Sequence, residues 1–175
     1  GKFGDRMKGI AEVYGLNVID LKYEWTSVVD PADVATALEE NPGVRGVIVT
    51  QSETSSGVLN DVKAIGAIVR EYPECVLIVD SITGIGAVDC KTDEWGLDVV
   101  MTGSQKGLML PPGLAACTVS EKAWKAFVDK GVKVIRNNEI DVKAFREASS
   151  SVYKYFVQQG YFSEELHNSI LNLKY

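Results

Sequence analysis

Two residues carry the chemistry that this sequence offers most clearly, Asp80 and Lys106. Asp80 closes an apolar run, VLIVD, at residues 76–80. Lys106 follows a second apolar run, in the tight turn Gly103-Ser104-Gln105-Lys106-Gly107, ahead of Pro111-Pro112-Gly113. Short unbroken apolar runs read as strands buried on both faces, and the carboxyl ends of parallel strands form the edge where open α/β sheets bind ligands. One edge would then present a carboxylate and a lysine amine. An amine there can form a Schiff base, and an anion can hold a pyridine nitrogen protonated; pyridoxal phosphate chemistry requires that pair. Taken singly, each residue has an ordinary reading, Asp80 as an N-cap or turn aspartate and Lys106 as a solvated surface charge. The two loops together outweigh it.

The elements that must position these loops alternate between strand and helix, which points to an α/β fold with a mostly parallel sheet flanked by helices. Residues Asp5 to Tyr14 are spaced as a helix ending at Gly15, and Asn17 to Leu21 (NVIDL) reads as a strand. Asp30-Pro31 opens a helix through Glu40, aspartate as N-cap and proline at the first position. Strands follow at Gly46 to Thr50, Val76 to Asp80, Asp98 to Thr102 and Leu114 to Val119. Helices are expected from Asn60 to Glu71 and, behind a Ser120 N-cap, from Glu121 to Lys130. A third polar loop, QSETSSG at residues 51–57, lies at the same expected edge. Its Thr54, Ser55 and Ser56 suit either a ligand contact or a turn capping the segment that follows.

From Gly131 the texture changes. GVKVI reads as a short strand, and Asp141 to Gln159 and Ser163 to Leu173 read as helices joined at Gly160, with an aromatic crowd of Phe145, Tyr153, Tyr155, Phe156, Tyr161 and Phe162. The chain therefore divides into a domain at 1–130 and a helical tail at 131–175.

Composition narrows the function classes. With 175 residues, 46% hydrophobic and 24% charged, the chain can bury a full core. A formal charge of -6 without a basic stripe argues against a nucleic-acid partner. Apolar runs of strand length predict no membrane span, and GKFGDRMKGI lacks the pattern of a signal peptide. Three separated cysteines without CxxC read as thiols of a reduced, cytoplasmic protein. The single histidine, His167, has no ligand cluster around it, so no metal site is expected. No G-x-G-x-x-G follows a strand, which argues against a dinucleotide-binding domain.

The pattern VDSITGIGAVDCKTDEWGLDVVMTGSQKGLMLPPGLA, with QSETSSGVLND and the opening GKFGDRMKGIAEVYGLNV, resembles the class V aminotransferases. These belong to fold type I of the pyridoxal phosphate enzymes, and the alanine–glyoxylate and serine–pyruvate aminotransferases are the most similar subgroup. The resemblance runs from Gly1 to about Phe127. It implies part of a three-layer large domain, truncated, and transamination between an amino acid and a 2-oxo acid. Lys106 would hold the cofactor as a Schiff base and shuttle a proton at the substrate α-carbon. Asp80 would bond the pyridine nitrogen, Thr54 the phenolic oxygen or its surroundings, and Ile82 would pack on one ring face. Gln105 would reach the phosphate, with Ser104 a second candidate, and Gln51 stands where relatives often carry histidine.

The resemblance also implies a homodimer that completes the site, a phosphate-binding turn and a ring-stacking aromatic ahead of GKFG, and a carboxylate-binding arginine in a small domain that residues 131–175 do not resemble. Neither Arg136 nor Arg146 is assigned that role. The tail, GVKVIRNNEIDVKAFREASSSVYKYFVQQGYFSEEL, resembles the C-terminal helices of TRAP-type extracytoplasmic solute receptors. The alternative to a transaminase is thus a fragment or engineered chimera, folded as an α/β scaffold without catalysis.

Overall fold

The structure, a computed structural model, describes residues 1–133, 141, 143, 144, 147, 154–161 and 163–171. Two compact units divide the chain, Gly1–Val132 and Lys133–Tyr175.

In the first unit the apolar runs become a four-stranded sheet of β1 (Gly46–Thr50), β4 (Val76–Asp80), β5 (Val99–Gly103) and β6 (Ala115–Val119), in that spatial order. β1 and β4, and β4 and β5, are parallel, and β6 closes the sheet antiparallel to β5. A two-stranded ribbon, β2 (Ser52–Glu53) and β3 (Val58–Leu59), grows from the end of β1. The register pairs Thr50 with Asp80 and Asp80 with Met101, so β1, β4 and β5 end side by side. That alignment places the 51–57, 81–88 and 104–110 loops at one edge.

Helices follow their caps. α1 spans Lys2–Val13, and α2 spans Pro31–Glu40 with the Asp30 side chain accepting from the Ala32 amide at 2.9 Å. α3 (Val62–Val69) is capped the same way by Asp61 on the Ala64 amide. Val34 and Leu38 of α2 and Val62, Ile65 and Val69 of α3 form one buried cluster with Val49, Leu77, Val79, Leu97 and Val100. Full burial of side chains such as Leu77 contributes about 1.5–3 kcal/mol each. Gly66 lets α3 approach α4 (Thr92–Trp95), because a Cβ there would collide with the Trp95 carbonyl.

α5 (Glu121–Asp129) is pinned at the end of the sheet away from the three loops. Buried Asp98 accepts from the Leu77 amide, from Ser120 Oγ at 2.6 Å and from Lys122 Nζ at 2.7 Å. Ser120 Oγ also caps the helix through the Ala123 amide.

Asn17 to Leu21 is not a strand. The segment does not add to the open edge of β1, which pairs with β4 alone, and side chains tie it down instead. Asp20 accepts from Lys8 at 2.8 Å and Tyr23 donates to Asp33 at 2.7 Å, an interaction that, after burial, helps push the phenol pKa up to about 12. A groove of about 480 Å³ remains between this segment, α1, α2 and β1. α4 has no counterpart in the sequence reading, because four residues are too short to show helical periodicity.

In the second unit, 154–158 is helical and α6 spans Glu164–Leu171, with Ser163 Oγ accepting from the Leu166 amide. Tyr155, Phe156 and Tyr161 meet edge to face with centroids 5.5 Å apart. Val134 and Ile135 of GVKVI, most of 141–153, Phe162 and the last residues of the chain lie outside the described residues.

Candidate active site

Hydrogen bonds continue across the strand ends and stitch the three loops together. The Gln51 amide donates to the Asp80 carbonyl at 2.9 Å, and the Ser81 amide to the Met101 carbonyl at 3.1 Å. Gln51, whose role the sequence leaves open, is buried, and both polar atoms of its side chain are bonded. Its Nε2 donates to the Asp89 carbonyl at 2.8 Å and its Oε1 accepts from Ser81 Oγ at 2.5 Å. Thr83 Oγ1 donates to the Ser52 carbonyl, and Thr54 Oγ1 lies 3.3 Å from Thr83 Oγ1. Thr102 Oγ1 donates to the Ile82 carbonyl at 3.4 Å.

The Lys106 turn rests backbone to backbone on the Asp80 loop. Gly86, at φ +85°, would place a Cβ 2.7 Å from the Gly107 carbonyl oxygen, and a Cβ on Gly107 would collide with the Ile85 carbonyl. Only glycines allow that approach.

Within this frame each candidate has a place. Asp80 is buried, and its Oδ1 accepts from the Ile82 amide at 3.0 Å, the contact of a turn aspartate. Among the described residues, its Oδ2 makes no hydrogen bond. Lys106 is exposed, and among the described residues its amine has neither ion pair nor hydrogen bond. Ile82 is 37% exposed beside Asp80, an apolar surface available to a ring. Thr54 and Gln105 are exposed.

Ser104 is buried, and its hydroxyl donates to the Pro111 carbonyl at 2.7 Å while accepting from the Leu114 amide at 3.3 Å. In this geometry it closes the 104–114 loop, and its hydrogen is not directed at a phosphate.

Glu53 was not singled out from the sequence, although it sits in the QSETSSG motif. Its side chain is buried, with four hydrogen-bond donors around it. The signal available was a carboxylate flanked by hydroxyls; its main partners, Phe3 and Gly4, are far away in sequence. Burial raises its pKa, but hydrogen bonds from the Ser55 side chain and the Gly4 and Ser55 amides lower it below the ordinary value of 4.5. A carboxylate held below its unfolded pKa stabilises the fold above that value and loses the contribution as pH falls through the folded one. Acidification below about pH 4.5 is therefore expected to lower the thermal midpoint more steeply in the parent than in Glu53→Gln. Parallel acid slopes in calorimetry would contradict this.

The 480 Å³ groove is not this edge: Glu53, Ser56 and Thr50 line it, whereas Asp80, Ile82, Gln105 and Lys106 do not. Thr50 Oγ1 is buried there with no hydrogen-bond partner among the described residues. Among the described residues no three His, Cys, Asp or Glu side chains gather in a metal-binding group, and no helix is long and apolar enough to cross a membrane.

These features define an open α/β domain in which the carboxyl ends of three parallel strands carry a buried carboxylate, a lysine amine unpaired among the described residues, and an apolar side chain, at the edge where such sheets bind ligands. The family model for aminotransferase class-V matches residues 6–153, and the chain belongs to that family. The match continues past Phe127 into the tail.

Among relatives, the chain is 47% identical over 130 residues to a soluble hydrogenase small subunit of Synechococcus sp. (strain PCC 6716), covering 73% of this chain and 34% of that protein. It is 32% identical over 174 residues to the (S)-ureidoglycine–glyoxylate transaminase of Bacillus subtilis (strain 168), covering 96% of this chain and 41% of that protein. The crystal structure of an alanine–glyoxylate aminotransferase from Nostoc sp. superposes with a TM-score of 0.69 at 29% identity, over 83% of this chain and 38% of that one. The chain spans about a third of the length of curated relatives such as the Synechococcus protein.

Proposed function

We propose that this chain carries the cofactor edge of a pyridoxal phosphate-dependent transaminase acting between a small amino acid and a 2-oxo acid. The observation that carries the reading is the pairing at one stitched edge of buried Asp80, one oxygen unbonded among the described residues, with the uncommitted amine of Lys106. Family membership implies the cofactor, and two of the relatives above are glyoxylate aminotransferases by name.

The residues fit the group. Bound there, pyridoxal phosphate supplies an aldehyde that condenses with amines and a ring that takes up electrons released at a substrate α-carbon. Asp80 would accept from the pyridine N–H and keep that nitrogen protonated, while its Oδ1 stays on the Ile82 amide. Ile82 would cover one ring face and exclude water from it. Thr54 would face the phenolic oxygen, and Gln105 the phosphate, over a loop that Ser104 holds closed. Lys106 would carry the cofactor at rest and, once displaced by substrate, move a proton between the substrate α-carbon and cofactor carbon C4′.

Residues 1–130 form the cofactor-binding part of this proposal, with a homodimer completing the site as the family resemblance implies. Three free cysteines suit a reducing, cytoplasmic setting.

The test supplies pyridoxal phosphate, L-alanine and glyoxylate to the protein. Equimolar pyruvate and glycine, well above the yield with cofactor alone, are expected. No pyruvate above that background, with alanine or with serine assayed for its own oxo acid, would favour a catalytically silent scaffold.

A further inference from the structure

Glu53 borders the cofactor residues yet has no role in the chemistry above. Its Oε2 accepts from the Phe3 and Gly4 amides at 3.1 Å each, and its Oε1 accepts from the Ser55 amide at 3.2 Å and hydroxyl at 2.6 Å. Ser55 Oγ in turn accepts from the Lys2 amide at 2.9 Å. The Lys2, Phe3 and Gly4 amides of α1 are thus satisfied by side chains of a loop about fifty residues away.

All four partners of the carboxylate are donors. A carboxylate, which only accepts, satisfies every one; an amide would turn its own N–H groups toward two of them. The approach is close, since a Cβ on Gly1 would lie 2.5 Å from Glu53 Cδ.

The loop clamped in this way carries Thr54. Thr83 gives its only hydroxyl hydrogen to the Ser52 carbonyl, so Thr54 is the donor in the 3.3 Å contact between the two hydroxyls. A continuous path therefore joins the start of α1, through Glu53 and Thr54, to the loop that follows Asp80.

We propose that Glu53 is a positioning residue for the cofactor edge: it locks the first turn of α1 to the 53–57 loop and thereby sets Thr54 against Thr83, beside Ile82. The inference rests on the assignment of Thr54 and Lys106 to the cofactor. Glu53 touches no reacting atom. It acts through Thr54.

The test titrates pyridoxal phosphate into the protein and its variants, reduces with borohydride, and quantifies the adduct on Lys106 by peptide mass spectrometry, with thermal unfolding measured alongside. Glu53→Gln is expected to raise the half-labelling concentration about tenfold, the loss of one well-placed hydrogen bond. Thr83→Val should give a similar rise with little change in unfolding temperature. The double variant should add little to either, because both break one path.

A Glu53→Gln protein that melts earlier but labels at the parent's midpoint while folded would make Glu53 a helix cap only, and overturn the inference. If Glu53→Gln does not fold, Thr83→Val and Ser55→Ala decide, and parental midpoints in both overturn it. Absence of Lys106 labelling in the unsubstituted protein overturns the cofactor assignment and this inference with it. Normal parental labelling that the variants leave unmoved overturns this inference alone.

Discussion

Replacing Lys106 with alanine is expected to lower transamination turnover by at least about 10³-fold, because in the proposed mechanism one side chain would both carry the cofactor and move the proton, and general acid–base catalysis alone contributes about 10²–10⁴. In barrier terms that is about 4 kcal/mol. The substitution should leave the fold intact. Lys106 is exposed and makes no side-chain hydrogen bond or ion pair among the described residues, so its removal belongs with surface changes of about ±0.5 kcal/mol. Steady-state turnover and thermal unfolding, measured on the same preparation, separate the two effects. Turnover within tenfold of the parent, in a protein of unchanged midpoint, would remove Lys106 from the chemistry.

Asp80 gives the second large effect, and two substitutions divide its roles. Asparagine keeps an oxygen for the Ile82 amide, so the turn should survive, but it has no charge with which to hold a pyridine nitrogen protonated. Asp80→Asn is therefore expected to lose about 10²–10³ in turnover, the scale of removing one preorganised electrostatic partner, with a near-parental unfolding midpoint. Alanine removes the acceptor as well, leaving the Ile82 amide unpaired at a further cost of about 1–3 kcal/mol in stability. If Asp80→Asn turns over like the parent, the carboxylate is a turn residue and no more.

Legibility in the sequence followed how local each cause is. The unbroken apolar runs at 46–50 and 76–80 became strands β1 and β4, but only β4 lies inside the sheet; β1 is its edge strand, with Ile48 40% exposed, so burial on both faces was read too far there. Asp30-Pro31 announced α2 because an N-cap and its amide are neighbours. NVIDL carries an apolar pattern suited to a strand, but a strand also needs a ladder, and β1 does not pair with it. The antiparallel direction of β6 likewise depends on its partner, and the sequence reading left it open.

The same division runs through the site. That Asp80 and the Lys106 turn share one edge was readable because aligned strand ends mark an edge. Gln51 and Glu53 were not, since Asp89, Phe3 and Gly4, which define their roles, lie 38 to 50 residues away. Ser104 shows the complementary limit. Its type announces a donor, but the acceptor it finds, the Pro111 carbonyl, is fixed by the path of the 104–114 loop.

The most direct measurement is to mix the protein with pyridoxal phosphate, reduce with borohydride, and locate the adduct by peptide mass spectrometry, with Lys106→Ala as the control. One equivalent confined to Lys106, and lost in the control, is the expected result; it would show that the edge holds the cofactor where Asp80 and Ile82 can act on it. Scattered, substoichiometric labelling of exposed lysines, equal in parent and control, would contradict that claim and leave the chain as a folded α/β scaffold that carries the motif without the cofactor.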